Sequence, residues 1–82
     1  MPKSVHSARH RAIADALAAQ RRAKGLSQEK LAKALGRHQP FIANIESGER
    51  RVDLVELVRI ADLIDLDLEE LIEALRRVPA DH

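Results

Sequence analysis

The segment LSQEKLAKALGRHQPFIANIESGERR, residues 26–51, predicts two short helices joined by a tight turn. Five apolar residues recur in it at helical spacing on both sides of one glycine: Leu31, Ala32, Leu35, Ile42 and Ile45. Gly36 permits the turn because it has no Cβ. Pro40 fits the first turn of the second helix, where its missing N–H costs little. Because proline disfavours helical angles at the residue before it, Gln39 is expected to cap this helix.

The remaining sequence is also predicted to be helical, because it contains no alternating run of β-branched residues. Three helix starts repeat one device, in which a Ser or Asp N-cap is flanked by two apolar residues that can pack together. The caps are Ser27, Asp53 and Asp67, and we expect Glu56 and Glu70 to close capping boxes at the last two. The predicted helices span residues 8–24, 28–35, 40–47, 54–64 and 68–77.

Length and composition predict one small domain, which we expect to span residues 8–77 between flexible tails at 1–7 and 78–82. The chain has no cysteine, so disulfide frameworks and zinc–thiolate sites are excluded. No apolar run approaches the ~18 residues of a membrane span, and the N-terminus lacks the apolar stretch of a secretory signal. These features predict a cytoplasmic protein, nucleoid-associated if DNA is its ligand.

The net charge of +1 hides a strong asymmetry along the chain. Residues 1–51 carry eleven Lys or Arg against four Asp or Glu, a net charge of +7. Residues 52–82 carry three against nine, a net charge of −6. Such an asymmetry indicates either a face for a polyanion or two solvated helical faces of opposite sign.

The second helix of the opening segment has an outward face that is small and polar rather than charged. This face carries Pro40, Ala43, Asn44 and Ser47. A face meant only for water usually carries Lys or Glu, whereas small residues and an amide suit close approach to base edges in the DNA major groove. Basic residues flank the helix on both sides: Arg37, His38, Arg50 and Arg51. This arrangement predicts base reading in the middle of the helix and phosphate contacts at both ends.

These residues resemble the helix-turn-helix of the phage-repressor/Cro-type DNA-binding proteins, also called the xenobiotic-response-element (XRE)-like family. The matching positions are Leu26, Gln28, Leu31, Ala32, Leu35, Gly36, Ile42, Ile45, Glu46 and Gly48. The following VDLVELVRIADLIDLDLEELI resembles the two closing helices of the family, so the resemblance covers about residues 8–75. It implies an all-α fold, a five-helix lambda-repressor-like DNA-binding domain with a helix-turn-helix.

The resemblance also implies roles for individual residues. Gln28 matches a position that holds a phosphate oxygen, and Gln39 and Asn44 match positions that contact bases. Phe41 matches a half-exposed position that can touch a thymine methyl group. Ser47 matches a phosphate contact. An amide in a base-reading position can pair with adenine N6 and N7, for about 1–3 kcal/mol of discrimination.

One further pair and two departures complete the resemblance. Arg21 and Glu46 match an ion pair that, in relatives, ties the recognition helix to the first helix. Pro40 stands where relatives use a polar residue to read a base, and proline cannot donate. Ala43 offers only a methyl group. Base reading is therefore expected to rest on two amides and on DNA shape.

Nothing in the sequence predicts an enzyme or a bound cofactor. There is no glycine-rich phosphate loop and no cysteine nucleophile, and the carboxylates belong to caps and acidic helices rather than to a paired site. His6 and His10 have a spacing that metal sites use, but no third ligand accompanies them, so no metal is expected.

The sequence therefore predicts a sequence-specific regulator of transcription, a repressor that binds double-stranded DNA through helix 40–47. We expect a homodimer reading two half-sites about 10 base pairs apart. Its surface is expected on the last helix, which has more apolar residues than a short terminal helix needs: Leu68, Ile72, Leu75 and Val78. Two alternatives remain: an antitoxin that also binds a protein toxin, and a protein–protein adaptor built on the same fold.

Overall fold

The computed structural model of the protein describes residues 7–80, and residues 1–6 and 81–82 of the predicted tails lie outside this range. Within it the chain forms five α-helices and no strand. These are α1 (Ala8–Ala23), α2 (Gln28–Ala34), α3 (Gln39–Ser47), α4 (Leu54–Ile64) and α5 (Leu68–Arg77). The predicted all-α, five-helix fold is confirmed, with helix bounds within one residue of those expected.

The three predicted N-caps are present, but one of the two predicted capping boxes is incomplete. Ser27 accepts a hydrogen bond from the N–H three residues on, as an N-cap should. Asp53 and Glu56 form the full capping box, with bonds of 2.8 and 3.0 Å. Asp67 accepts from the Glu70 N–H at 3.1 Å, but the Glu70 carboxylate makes no return bond. The capping box predicted for α5 is therefore only half formed.

The start of α3 differs from the prediction. His38, not Gln39, is the N-cap, and its backbone is extended. Gln39 is already helical, so Pro40 takes the second helical position, where its missing N–H is still harmless. Gln39 does not cap α3 because its backbone is already helical, which makes it the first residue inside the helix.

The core is formed where α1, α2, α3 and α4 meet. It consists of Leu17, Leu31, Ala32, Leu35, Ile42, Ile45, Ile60 and Ile64. The α2–turn–α3 unit packs against this core through the apolar residues that the sequence pattern placed there. Gly48 ends α3 in the left-handed conformation, with φ of 89°, which only glycine adopts without strain. The chain can then turn sharply toward α4.

Helix α1 supplies polar side chains that satisfy the carbonyl ends of three other helices. Arg11 donates to two carbonyls at the end of α3, at 2.6 and 3.2 Å. Gln20 donates to two at the end of α4, at 3.0 and 3.3 Å. Arg9 donates at 2.9 Å to the carbonyl of Val78, which caps α5. These carbonyls have no partner within their own helices, so α1 fixes how each helix ends.

Neither a membrane-spanning helix nor a metal-binding cluster is found in residues 7–80. None of the helices there is long and apolar enough to cross a membrane. No three His, Asp or Glu side chains in that range come together as a metal site. His10 bonds instead to the N-cap Ser7 at 2.9 Å, and His6 lies outside the described residues.

Candidate nucleic-acid interface

Helix α3 buries one face and leaves the opposite face open. Ile42 and Ile45 are buried in the core, whereas Gln39, Asn44 and Ser47 are exposed. The exposed face combines amides and a hydroxyl with the small side chains at positions 40 and 43. An α-helix with a face of this kind fits the width of the DNA major groove.

A continuous chain of hydrogen-bonded side chains links α1 to the start of this face. Arg21 binds both carboxylate oxygens of Glu46, at 2.6 and 3.0 Å. Glu46 accepts from the Gln28 amide at 2.8 Å. The carbonyl oxygen of Gln28 in turn accepts from the Gln39 amide, also at 2.8 Å. The expected ion pair between Arg21 and Glu46 is thus present and extends to two glutamines of the helix-turn-helix.

These hydrogen bonds determine which side-chain atoms of Gln28 and Gln39 remain available to a ligand. Gln28 uses one N–H for Glu46 and its oxygen for Gln39, so one N–H is left for an acceptor such as a phosphate oxygen. Gln39 uses one N–H for Gln28, so its oxygen and its second N–H are left. An amide that offers one acceptor and one donor matches the N6 and N7 edge of adenine.

The ion pair at the inner end of the chain is well shielded, with both side chains less than 10% exposed. Arg21 also donates to the carbonyl of Leu26 at 2.7 Å, so its guanidinium is well satisfied. Burial acts to raise the pKa of Glu46, but hydrogen bonds from Arg21 and Gln28 outweigh it and the pKa lies below its ordinary value. Glu46 therefore stays ionised near neutral pH and remains an acceptor for Gln28.

Asn44 and Ser47 occupy the middle and the end of the open face. The side-chain amide of Asn44 has no hydrogen-bond partner in the part of the chain that the structure describes. Its full donor and acceptor capacity is therefore available to a ligand. The Ser47 hydroxyl donates to the Asn44 carbonyl at 3.1 Å and accepts weakly from the Glu49 N–H at 3.4 Å. It can still accept one more hydrogen bond, but its proton is already directed into the helix.

Phe41 lies beneath two arginines at the edge of the interface. The guanidinium carbon of Arg37 lies 4.0 Å from the ring centroid, and that of Arg50 lies 4.7 Å away. Both distances fall within the range of cation–π attraction. The ring is half-buried and packs against the core. Its observed contacts make Phe41 a support for arginine side chains, and contact with a thymine methyl stays a prediction.

The basic residues around α3 differ in what they are free to contact. Arg50 binds both oxygens of Glu56 at 2.9 and 3.0 Å, which holds the pKa of Glu56 below its ordinary value. Its guanidinium thus fastens the α3–α4 loop to the start of α4 and is not free, although the sequence suggested a phosphate contact. Arg37 and His38 are exposed around the same end of the domain, and Arg51 is exposed there as well but is also engaged by another group of the protein.

Sequence reasoning missed one residue that positions the interface. Arg11 of α1 holds the last carbonyls of α3, and it also pairs with Asp15 at 3.2 Å. The sequence placed Arg11 in a basic N-terminal helix but offered no signal for its target, since the contact spans 35 residues along the chain. Only the packing of α1 across the end of α3 reveals it.

Several known proteins resemble this chain in sequence or in fold. A family model described as helix-turn-helix matches residues 17–71. The ImmF control region 10 kDa protein of Bacillus phage phi105 is 43% identical over 51 residues, which are 62% of this chain and 57% of that protein. The chain thus spans little more than half of that relative's length.

A solved structure extends the likeness to nearly the whole chain. The XRE-family like protein from Pseudomonas syringae pv. tomato str. DC3000 is 37% identical and superposes with a TM-score of 0.79. The match covers 92% of this chain and 93% of that one. The chain therefore belongs to the XRE-type helix-turn-helix family of DNA-binding transcription regulators, which is not a family of enzymes.

Proposed function

We propose that this protein is a sequence-specific regulator that reads double-stranded DNA by placing α3 in the major groove. The observation that carries this proposal is the hydrogen-bonded chain that ends at the exposed amide of Gln39. An amide held from behind by Gln28, Glu46 and Arg21 loses little freedom when it binds a base.

The remaining contacts follow from the same docking. Asn44 lies five residues after Gln39, about 7.5 Å along the helix and about 140° around it, so the two amides lie at opposite edges of the exposed face and can contact different base pairs. Gln28, Arg37, His38 and Arg51 surround them and supply phosphate contacts, which set the position of the helix but carry no sequence information. Ser47 adds a further phosphate contact when its hydroxyl proton turns away from the Asn44 carbonyl. Arg50 acts through the α3–α4 loop that it fastens.

Repression is the regulatory outcome that we propose, because occupying the groove is enough to exclude other proteins from the same DNA. It requires no surface beyond the interface already described. The likeness to a phage control-region protein is consistent with this role. A cytoplasmic location follows from the proposed ligand.

A homodimer is proposed as the binding form, through α4 rather than α5. Leu68, Leu75 and Val78 of the last helix region are half-buried within the domain, which leaves only Ile72 widely exposed there. The start of α4 instead exposes three apolar side chains, which we call the α4 patch: Leu54, Val55 and Val58, exposed by 72%, 70% and 39%. The three lie within about 100° of arc on one side of the helix.

A second copy of the chain fits the α4 patch because an exposed apolar patch can pack against the same patch of another copy. Two α4 helices that cross antiparallel midway between Val55 and Val58 bring Val55 of one copy against Val58 of the other. A contact of this kind has the two-fold symmetry of an isologous interface, which matches a two-fold symmetric operator.

The proposal is tested by selecting bound duplexes from a random DNA pool at near-physiological salt and sequencing them. A two-fold symmetric motif is expected, with half-site centres about 10 base pairs apart. A motif without symmetry would contradict the dimer while supporting sequence-specific reading. No enrichment at all would overturn the proposal and favour the adaptor alternative, or the antitoxin alternative if a protein partner restores binding.

A further inference from the structure

We propose that a cleft between α3 and α4, with Arg37 on one side and Arg59 on the other, binds a phosphate of the DNA backbone. This inference rests on the proposed function and adds a residue of α4, outside the helix-turn-helix, to the interface. We call it the arginine cleft. It is lined by Leu35, Arg37, Phe41, Glu56, Arg59 and Ile60.

The two arginines of the cleft are open to an anion. Neither the Arg37 nor the Arg59 guanidinium forms a hydrogen bond or ion pair with any side chain or backbone group in residues 7–80. Both residues are exposed. Glu56 is the one carboxylate in the cleft lining, and both of its oxygens are already bound by Arg50. When Arg50 is counted with Arg37 and Arg59, three positive charges therefore stand against the one negative charge of Glu56.

The cleft is also partly organised before any ligand arrives. Arg37 rests on the ring of Phe41 at 4.0 Å, which restrains a side chain that would otherwise be mobile. Its floor is apolar, with Leu35 and Ile60 both buried. A planar guanidinium beside such a floor is weakly hydrated and presents paired donors, a geometry that suits phosphate oxygens.

The position of the cleft matches the path expected of a DNA strand. Arg37 lies in the turn before α3, two residues ahead of Gln39, so it borders the face that enters the groove. Arg59 extends the same positive border onto α4. A strand whose bases face Gln39 thus passes its phosphates close to the cleft. Arg59 was not among the residues that the sequence motif indicated.

The test measures how the DNA affinity of the full-length protein depends on salt. Each phosphate neutralised contributes about 0.9 to the slope of log affinity against log salt concentration. Arg59→Gln is therefore expected to reduce the slope by about that amount, for a selected operator and an unrelated duplex alike. Arg59→Lys keeps the charge and should retain most of the slope. The matched control is Arg76→Gln, which removes the same charge from an exposed site on α5 and should leave the slope unchanged.

The outcomes separate this inference from the function on which it rests. Equal thermal melting of both glutamine variants confirms that the fold is intact. If the wild type binds DNA but Arg59→Gln behaves like Arg76→Gln, the arginine cleft is not a phosphate site and the inference alone fails. If the wild type binds no duplex at all, the proposed function and the inference fail together.

Discussion

Gln39 donates a 2.8 Å hydrogen bond to Gln28, so helix α2 holds the side-chain amide at the start of α3 in place. The bond crosses the turn of the helix-turn-helix, so the two helices share one polar contact on the side that faces DNA. Gln28 is itself held by Glu46, and Glu46 by Arg21. The orientation of Gln39, the side chain proposed to read a base, therefore depends on an ion pair that is shielded behind it.

Replacing Gln28 by alanine should weaken DNA binding and also relax sequence preference under Gln39. The substitution removes a phosphate donor and frees the Gln39 amide to rotate. We expect a loss of about 1–3 kcal/mol in binding free energy for the selected operator. Fluorescence anisotropy with the operator and its single-base variants measures both effects. An equal loss on every duplex would show that Gln28 only grips phosphate and does not orient Gln39.

Asn44→Ala should uncouple DNA binding from stability. The amide is exposed and unpaired in the described part of the chain, so its loss removes no internal contact. Alanine is the better helix former, so thermal stability should stay equal or rise slightly. Binding to the selected operator should weaken by about 1–3 kcal/mol if the amide pairs with a base. Unchanged affinity in a binding titration would remove Asn44 from the interface.

The sequence predicted best those features that depend on residues close together along the chain. Ser27, Asp53 and Asp67 cap helices through neighbours three residues away, so local patterns were sufficient to identify them. The apolar stripe at Ile42 and Ile45 likewise identified the buried face of α3.

Features set by tertiary contacts were beyond the local pattern. Gln39 was expected to cap α3, but it lies inside the helix and donates to Gln28, eleven residues earlier, a contact that no local pattern indicates. Arg50 was expected to face phosphate, and its ion pair with Glu56 was not foreseen. An exposed arginine and a paired arginine have the same sequence signature, since only the fold decides which carboxylates lie within reach.

The ion pair between Arg21 and Glu46 should prove essential to stability when broken from one side only. Either Arg21→Ala or Glu46→Ala leaves a shielded charge without its partner, at a cost of about 3–5 kcal/mol in unfolding free energy. The double variant Arg21→Met with Glu46→Leu replaces the pair by apolar groups and should regain most of that loss. Urea denaturation of the three variants measures these differences.

The same double variant separates architecture from recognition. Without Glu46, the inner anchor of Gln28 is missing even though the fold is restored. DNA affinity should therefore stay below that of the wild type. Full recovery of both stability and affinity would show that the pair has no part in orienting the glutamines.

Acid should destabilise the protein through Glu46. Because the pKa of this carboxyl is lowered in the folded state, the unfolded chain binds its proton first as the pH falls. The stabilising effect is complete above the ordinary glutamate pKa of about 4.3 and is lost as the pH drops through the lower, folded value. Urea denaturation between pH 7 and pH 3 should show this decline. Glu46→Gln cannot titrate and should show a shallower decline, so an equal one would exclude Glu46 as its source.

Val55→Glu should convert the proposed dimer to monomer. Val55 is 70% exposed in the α4 patch, so the substitution costs the isolated domain little, whereas in the proposed register each new carboxylate would be buried against Val58 of the second copy. The matched control is Ile72→Glu, at the 48% exposed residue of α5. Sedimentation over a concentration series should show a dimer for the wild type and for Ile72→Glu, and a monomer for Val55→Glu. A dimer for Val55→Glu and a monomer for Ile72→Glu would show that the interface lies on the last helix, as the sequence predicted. A wild type that stays monomeric on a symmetric operator would mean that its two half-sites are bound independently.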